Sequence, residues 1–319
     1  MNRWVHYKNG NYIVHLDTET GTKIRENDLD YFEADTVESI DLKLTNKCDM
    51  GCPFCHEAST SDGAHADLFA PSFLDNLHPY TEIAIGGGNP LSHPDLLKFL
   101  IKCKEKQFIP SMTVNQVHFE SNFEFIKQLV NAKLIYGVGI SLNYPSDDFL
   151  DKVSQIPNAV IHIIAGTNNS HRSYLELMKD RGLKILILGF KKVRKGDHYY
   201  DCNEPRIETD ICLLKKYLPE IMGNNWFEVI SFDNLALQQL DIRSMMDEDD
   251  FNFHYMGDDG IEGSLTSSSM FIDLVERKFA KNSCSMERYD LMDTIEQMYS
   301  YLKNKDFYED LHAEQTEQM

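Results

Sequence analysis

The chain has 319 residues, 42% of them apolar, and its 18 Phe, 15 Tyr and 2 Trp suffice for one large α/β-barrel domain with extra elements or for two ordinary domains. Its 51 acidic against 31 basic residues leave a net charge of −20, which argues against duplex nucleic acid as a partner, because phosphate surfaces need clustered Lys and Arg. No apolar h-region opens the chain and no long apolar window occurs, so a soluble cytoplasmic protein without signal peptide or membrane span is expected.

Residues 1–36 are polar with short apolar stretches around Asn9-Gly10 and Thr20-Gly21, and read as a small N-terminal β element. Strands follow at 39–45, 82–87, 109–115, 135–141, 159–165 and 184–190, with helical patterns between them at 94–106, 121–132, 146–156 and 170–181. This alternation predicts parallel βαβ units. Six such units suggest an incomplete barrel, a partial (β/α)6 TIM-type fold over 37–195. A doubly wound sheet has the same local pattern. In either, reactive groups belong at the carboxyl ends of the strands. The remainder, 196–319, reads as a C-terminal extension and substrate lid: a helix over 207–222, a strand at 226–232, a strand or hairpin over 270–280, and a helix over 286–303 before a charged tail.

Directly after the first strand comes Cys48-Asp-Met-Gly-Cys52-Pro-Phe-Cys55. Gly51 and Pro53 make this a loop, and three crowded thiolates stay ionised only beside a metal that neutralises them. Iron–sulfur clusters usually take four thiolates, so three on one loop leave one iron open to another ligand. A structural zinc site would need a fourth Cys or His, and His56 is too near in sequence to close a tetrahedron.

The C-x3-C-x2-C spacing, with Phe54 before the last cysteine, resembles the radical S-adenosylmethionine superfamily. That resemblance implies a single [4Fe–4S] cluster on Cys48, Cys52 and Cys55, and S-adenosylmethionine chelated by its open iron. It also implies an external one-electron reductant of flavodoxin or ferredoxin type, and reductive cleavage to a 5′-deoxyadenosyl radical that takes hydrogen from a substrate. Phe54 is then expected near the adenine. Gly86, Gly87, Gly88 and Asn89 stand where the family has Gly-Gly-Glu-Pro. Asn89 replaces the usual Glu, so its amide would accept from the methionyl ammonium without a charge–charge term. By the same resemblance Asn115, Ser141 and Asn143 serve the cofactor at strand ends, while Gly166 and Leu188 leave room for its adenine. Substrate class stays open between a peptide or protein side chain and a small molecule. An iron–sulfur sensor or electron carrier is the non-enzyme alternative.

The resemblance covers about half the chain, and inference thins beyond it. Asp233 reads as a helix cap for 235–240 or as a residue of the barrel mouth. His198, Tyr199 and Tyr200 are substrate contacts or surface aromatics of a connection. Lys191, Lys192, Arg194 and Lys195 form a basic run that holds an anion or is solvated. Cys103 reads as core, and Cys202 or Cys284 as packing or as hydrogen-atom donors.

Overall fold

The computed structural model describes residues 3–29, 31–255 and 268–304. The charged tail expected after residue 303 lies almost wholly outside the described residues. An antiparallel meander opens the fold: β1 (Trp4–Asn9), β2 (Tyr12–Asp17) and β3 (Lys23–Glu26), paired in that order. Gly10 sits in its first turn at φ +60, with the Glu33 carbonyl where a Cβ would be; only glycine fits there.

The main sheet has ten strands. β4 (Ser39–Thr45), β5 (Glu82–Gly87), β6 (Ile109–Asn115), β7 (Gly137–Ser141), β8 (Ala159–Ile164), β9 (Lys184–Leu188) and β10 (Val229–Phe232) lie side by side in chain order, all parallel. β11 (Ser269–Asp273) returns to the other side of β4, again parallel, and carries the antiparallel β12 (Lys278–Ala280) and β13 (Tyr289–Asp290). Among the described residues no ladder joins β10 to β13, so the barrel is partial. The sheet nevertheless runs past six strands: the stretch expected as an appendage supplies β10 to one edge and β11 to the other. Apolar run length identifies the strands, but only long-range pairing tells which sheet they join.

The helices are α1 (Leu96–Glu105), α2 (Gln116–Ser121), α3 (Phe123–Asn131), α4 (Asp147–Val153), α5 (Arg172–Met178), α6 (Lys195–Gly223), α7 (Asn234–Gln239) and α8 (Glu248–Tyr255). Residues 295–304 are also helical, a later start than expected because β13 occupies 289–290. The helix expected over 121–132 is α3, and an unexpected short helix, α2, precedes it, the two divided at Asn122. α6 begins twelve residues before the expected 207, and His198, Tyr199 and Tyr200 lie in its first turns rather than in a connection. Packing overrides the weak propensities of Gly196 and Pro205: Tyr199 and Tyr200 meet Phe190 at 6.3 and 6.0 Å. No described helix is long and apolar enough to cross a membrane.

Strand alternation divides the main sheet. Ile40, Leu42, Leu44, Ile83, Ile85, Met112, Val114, Val138, Ile140, Ile161, Ile163, Ile185 and Ile187 are buried in the apolar core with the helices. The opposite face carries Ala84, Gly86, Ser111, Thr113, Asn115, Gly139, Ser141, His162, Leu186 and Leu188, all half-buried. Parallel sheets are usually covered on both faces; here the inner face stays partly open and lines a chamber.

Gly166 follows β8 at φ +79, and the place of its missing Cβ is taken by Ile207 Cγ2 at 2.7 Å and Ile211 Cγ1 at 3.1 Å. Gly166→Ala should destabilise the protein by about 1–3 kcal/mol through strain and overpacking, read as a lower urea midpoint at unchanged m-value.

Candidate functional site

The three cysteines occupy a long loop that leaves β4 and folds back on it. Asn46 N–H donates to Ala64 O (2.9 Å), Cys48 N–H to Thr60 O (2.7 Å) and Ala66 N–H to Leu44 O (3.0 Å). Between these ties Gly51 adopts φ +61 with open space on its Cβ side, and Ala58 adopts φ 51. Cys48, Cys52 and Cys55 are half-buried and free of disulfides. Burial raises the Cys48 and Cys52 thiols, and each is raised further by the charge of Cys55. The loop therefore brings three sulfurs into one electrostatic neighbourhood that disfavours bare thiolates.

The glycine run ending β5 is fastened to the root of this loop. Gly88 N–H donates to Thr45 O and Asn89 N–H to Lys47 O, both at 2.7 Å. A Cβ on Gly87 (φ +107) would meet Thr45 O at 2.5 Å and Lys43 Cγ at 2.8 Å; one on Gly88 would meet Lys47 O at 2.3 Å. These two glycines serve the approach of two backbones. Gly86 differs: nothing lies within 4 Å of its absent Cβ, so it alone opens towards the chamber. Asn89 Oδ1 accepts from Leu91 N–H at 3.2 Å, capping the short turn 90–92.

At the neighbouring strand ends Asn115 and Asn143 exchange side-chain hydrogen bonds of 3.1 and 2.9 Å, and Asn115 also caps α2 through Val117 N–H. Ser141 and Leu188 lie on the inner face. Gly166 faces α6, as described above, so its glycine is explained by helix packing. Phe54 packs against Phe190 and Tyr199, with ring centroids 6.4 and 5.5 Å away. Asp233 proves to be the cap of α7: its Oδ1 accepts from Ala236 N–H and Gly189 N–H, both at 2.8 Å.

Several residues that sequence reasoning missed lie in the same region. Lys43, on β4, is fully buried and its ammonium sits 2.8 Å from Glu57 Oε2 and 2.9 Å from Asp273 Oδ2. The Glu57 oxygen is off the hydrogen-bond direction, so that contact is Coulombic. Asp273, on β11, also pairs with Arg288 Nη1 at 3.2 Å and accepts from Val275 and Glu276 N–H. Asp41, two residues before Lys43, lies on the inner face with its side chain exposed; desolvation by the surrounding protein, with Glu57 and Asp233 nearby, raises its carboxyl, and Lys191 opposes them. His162 lies over Gly139, where a Cβ would stand 2.4 Å from its Cε1. His118 on α2 bonds Asp49 Oδ1 at 2.6 Å, its Nδ1 is buried without a partner, and Cys48, Asp49 and His118 offer ligand atoms within 4.8 Å of one another. The polar positions alternating with Ile40, Leu42 and Leu44 were the available signal for Asp41 and Lys43.

The basic run past β9 is spent on the protein itself. Arg194, at φ 52, donates to His56 O at 2.6 Å, Lys195 to Ser59 O at 3.1 Å, and Lys191 to Ser283 Oγ at 2.9 Å. Lys192 lies 3.4 Å from the centroid of the Tyr200 ring. Cys103 is buried on α1 as expected; Cys202 and Cys212 are exposed on α6, while Cys284 is half-buried beside Ser283.

Two outcomes follow. Lys43→Met strands Glu57 and should cost about 3–5 kcal/mol of unfolding free energy, the price of breaking a buried ion pair from one side. His162, lowered by burial to about 4, stays neutral where the unfolded chain takes up a proton below about 6.5. Its contribution is therefore intact above that value and lost as pH falls towards 4. Denaturant titrations should show about 1–2 kcal/mol more loss between pH 7 and 5 for the native chain than for His162→Gln.

The family model for the Radical SAM superfamily matches residues 42–198. No curated protein matches the sequence. Among solved structures the fold is similar to Streptococcus suis SuiB bound to precursor peptide SuiA, at TM-score 0.58 and 10% identity, covering 94% of this chain and 88% of that one. SuiB bound to S-adenosylmethionine gives TM-score 0.59 at 9% identity over 94% and 87%, and SuiB alone gives 0.57 at 12% over 94% and 87%. At such identities the likeness concerns the fold.

Proposed function

Because this chain is an enzyme of the radical S-adenosylmethionine superfamily, we propose that Cys48, Cys52 and Cys55 hold one [4Fe–4S] cluster and that the chamber beside them binds S-adenosylmethionine and a peptide substrate. The observation that carries this reading is the cysteine loop itself: three half-buried thiols on a backbone pinned at both ends, with Cys48 and Cys52 raised by burial and by the neighbouring sulfurs. A cluster neutralises them. Such a cluster, when bound, supplies the electron that cleaves S-adenosylmethionine to a radical able to abstract hydrogen.

The chain's own residues bind, orient and exclude water. Gly86 leaves open space one strand from the cysteines, fitting close approach of a ligand to backbone. Asn89 has a second lone pair on Oδ1 beyond its cap to Leu91, available to the methionyl ammonium. The paired amides of Asn115 and Asn143, with Ser141, offer hydroxyl partners at adjacent strand ends. Phe54, backed by Phe190 and Tyr199, supplies an aromatic wall that shields the reacting bond from solvent. The peptide assignment rests on the likeness to SuiB, which extends through the C-terminal region and whose bound partner is a precursor peptide.

The convergence of Cys48, Asp49 and His118 supports a second reading, a mononuclear metal site, which the same experiment separates. Anaerobically reconstituted protein should hold about four irons per chain and, once reduced with dithionite, release 5′-deoxyadenosine and methionine. Replacing Cys48, Cys52 and Cys55 together by Ala should abolish iron and cleavage alike. One zinc or iron per chain, or a reducible cluster that neither binds nor cleaves S-adenosylmethionine, would rule the proposal out.

A further inference from the structure

Helix α6 runs from the cysteine loop to the end of β8. At its start a Cβ on Gly196 would stand 3.5 Å from Phe54 O, and the Tyr199 ring meets the Phe54 ring edge-on at 5.5 Å. About three turns later Ile207 and Ile211 close over Gly166, just past β8. Arg206 joins the two regions. Its Nη2 donates to the Tyr199 hydroxyl at 2.9 Å, and its guanidinium carbon lies 5.9 Å from the centroid of that ring. Its Nη1 donates to Asn168 Oδ1, in the turn after β8, at 3.3 Å.

The guanidinium is itself held. Nη1 also reaches Asp210 Oδ2 at 3.4 Å, one helical turn on, and Asp210 is buried. His171 Nε2 lies 3.2 Å from the other Asp210 oxygen, off the hydrogen-bond direction. A partly exposed ion pair of this kind adds little to stability, since screening and side-chain ordering take back most of the attraction. Its geometry is more informative. A guanidinium presents its donors in a rigid planar fork, and here one arm goes to an aromatic ring and the other to the end of a strand. Tyr199 is half-buried, an apolar ring with a polar tip, and such a ring takes its orientation from the partner of its hydroxyl. Among the described residues Arg206 is the side chain that bonds that hydroxyl.

We propose that Arg206 is a positioning residue for S-adenosylmethionine: it ties the Tyr199 ring to the end of β8 and so fixes the Phe54 wall against which the adenine lies. This rests on the reading of the chamber as the cofactor site, with Phe54 beside the adenine. Acting through Tyr199, Arg206 serves the adenine end of the cofactor and leaves the cluster and its chelated end unchanged. Its removal therefore costs affinity for the cofactor without costing iron.

Tyr199→Phe, Arg206→Met and the double variant test this as a mutant cycle. Each full-length chain is reconstituted anaerobically, its iron is counted, and its S-adenosylmethionine affinity is measured by equilibrium dialysis. Either single substitution should weaken binding about three- to tenfold, the ratio for one hydrogen bond, while iron stays at about four per chain. The double variant should bind no more weakly than Arg206→Met alone, because both changes break the same contact. In 5′-deoxyadenosine release the loss should fall on KM for S-adenosylmethionine rather than on kcat. Affinity unchanged by either single substitution, losses that multiply in the double variant, or a loss carried by kcat or by iron content overturns the assignment. Should Arg206→Met fail to fold, Tyr199→Phe, which removes one oxygen and keeps the ring, decides alone by the same affinity measurement. A native chain that holds its cluster but does not bind S-adenosylmethionine overturns the earlier reading instead.

Discussion

The fold turns on one buried ammonium. Lys43 is enclosed by protein, and burying a charge without compensation costs several kcal/mol; its two carboxylates come from the cysteine loop (Glu57) and from the strand that pairs beside it (Asp273). The first parallel strand, the loop that carries the cysteines and the C-terminal strand are thus held to one electrostatic condition. Displacing the loop would leave Glu57 and Lys43 each partly uncompensated. The Lys43 stem also fills the place of a Cβ on Gly87, so the glycine run of the next strand answers to the same side chain. Ion pairs of this kind are weak evidence for stability, but breaking them is costly, and that asymmetry makes the loop's position specific.

A second fastening works by backbone. Arg194 and Lys195 reach from beyond β9 to the carbonyls of His56 and Ser59, just past the last cysteine. Arg194 adopts a left-handed φ of 52, a conformation that a non-glycine residue keeps only where its surroundings over-determine it. Gly196 lies against Lys191 O, 2.2 Å from where its Cβ would stand, so the turn into α6 is tight for the same reason. The connection beyond β9 is thereby held to the cysteine loop, while among the described residues no strand closes the sheet.

The parts of this architecture that sequence carries are those with local signatures. Six strands and most helices show in apolar periodicity, and the cysteine loop shows in spacing alone. Asp233 shows as a cap because the pattern Asp-Asn-Leu-Ala opens a helix. What stays hidden depends on pairing at long range. Nothing local says that 269–273 lies beside 39–45, and without that pairing Lys43, Asp273 and Arg288 are three unrelated charges. The basic run at 191–195 reads as a solvated patch for the same reason: the carbonyls that accept from Arg194 and Lys195 lie 138 and 136 residues away, and the hydroxyl that accepts from Lys191 lies 92 away. Gly87, Gly88 and Gly166 were legible as glycines that something needs. Whether a ligand or another backbone needs them is decided by tertiary contact, and here backbone and helix side chains take those positions.

A parallel sheet with one half-open face has given up apolar burial it could otherwise gain. The outer face shows what the chain can do, with isoleucine, leucine and valine packed to near-complete burial. On the inner face the same strands carry glycine, alanine, serine, threonine, asparagine, aspartate and histidine, small or polar residues that leave volume unfilled. Packing accounts for Gly139, which lies under His162, but not for Gly86, where nothing stands within 4 Å of an added Cβ and a larger apolar side chain would have room. The unfilled volume lies at the strand ends where the cysteine loop is pinned. A chain that spends a fully buried lysine, two half-buried cations and a strained turn on fixing that loop, and then leaves space beside it, has the construction of a site for guests that must be held still.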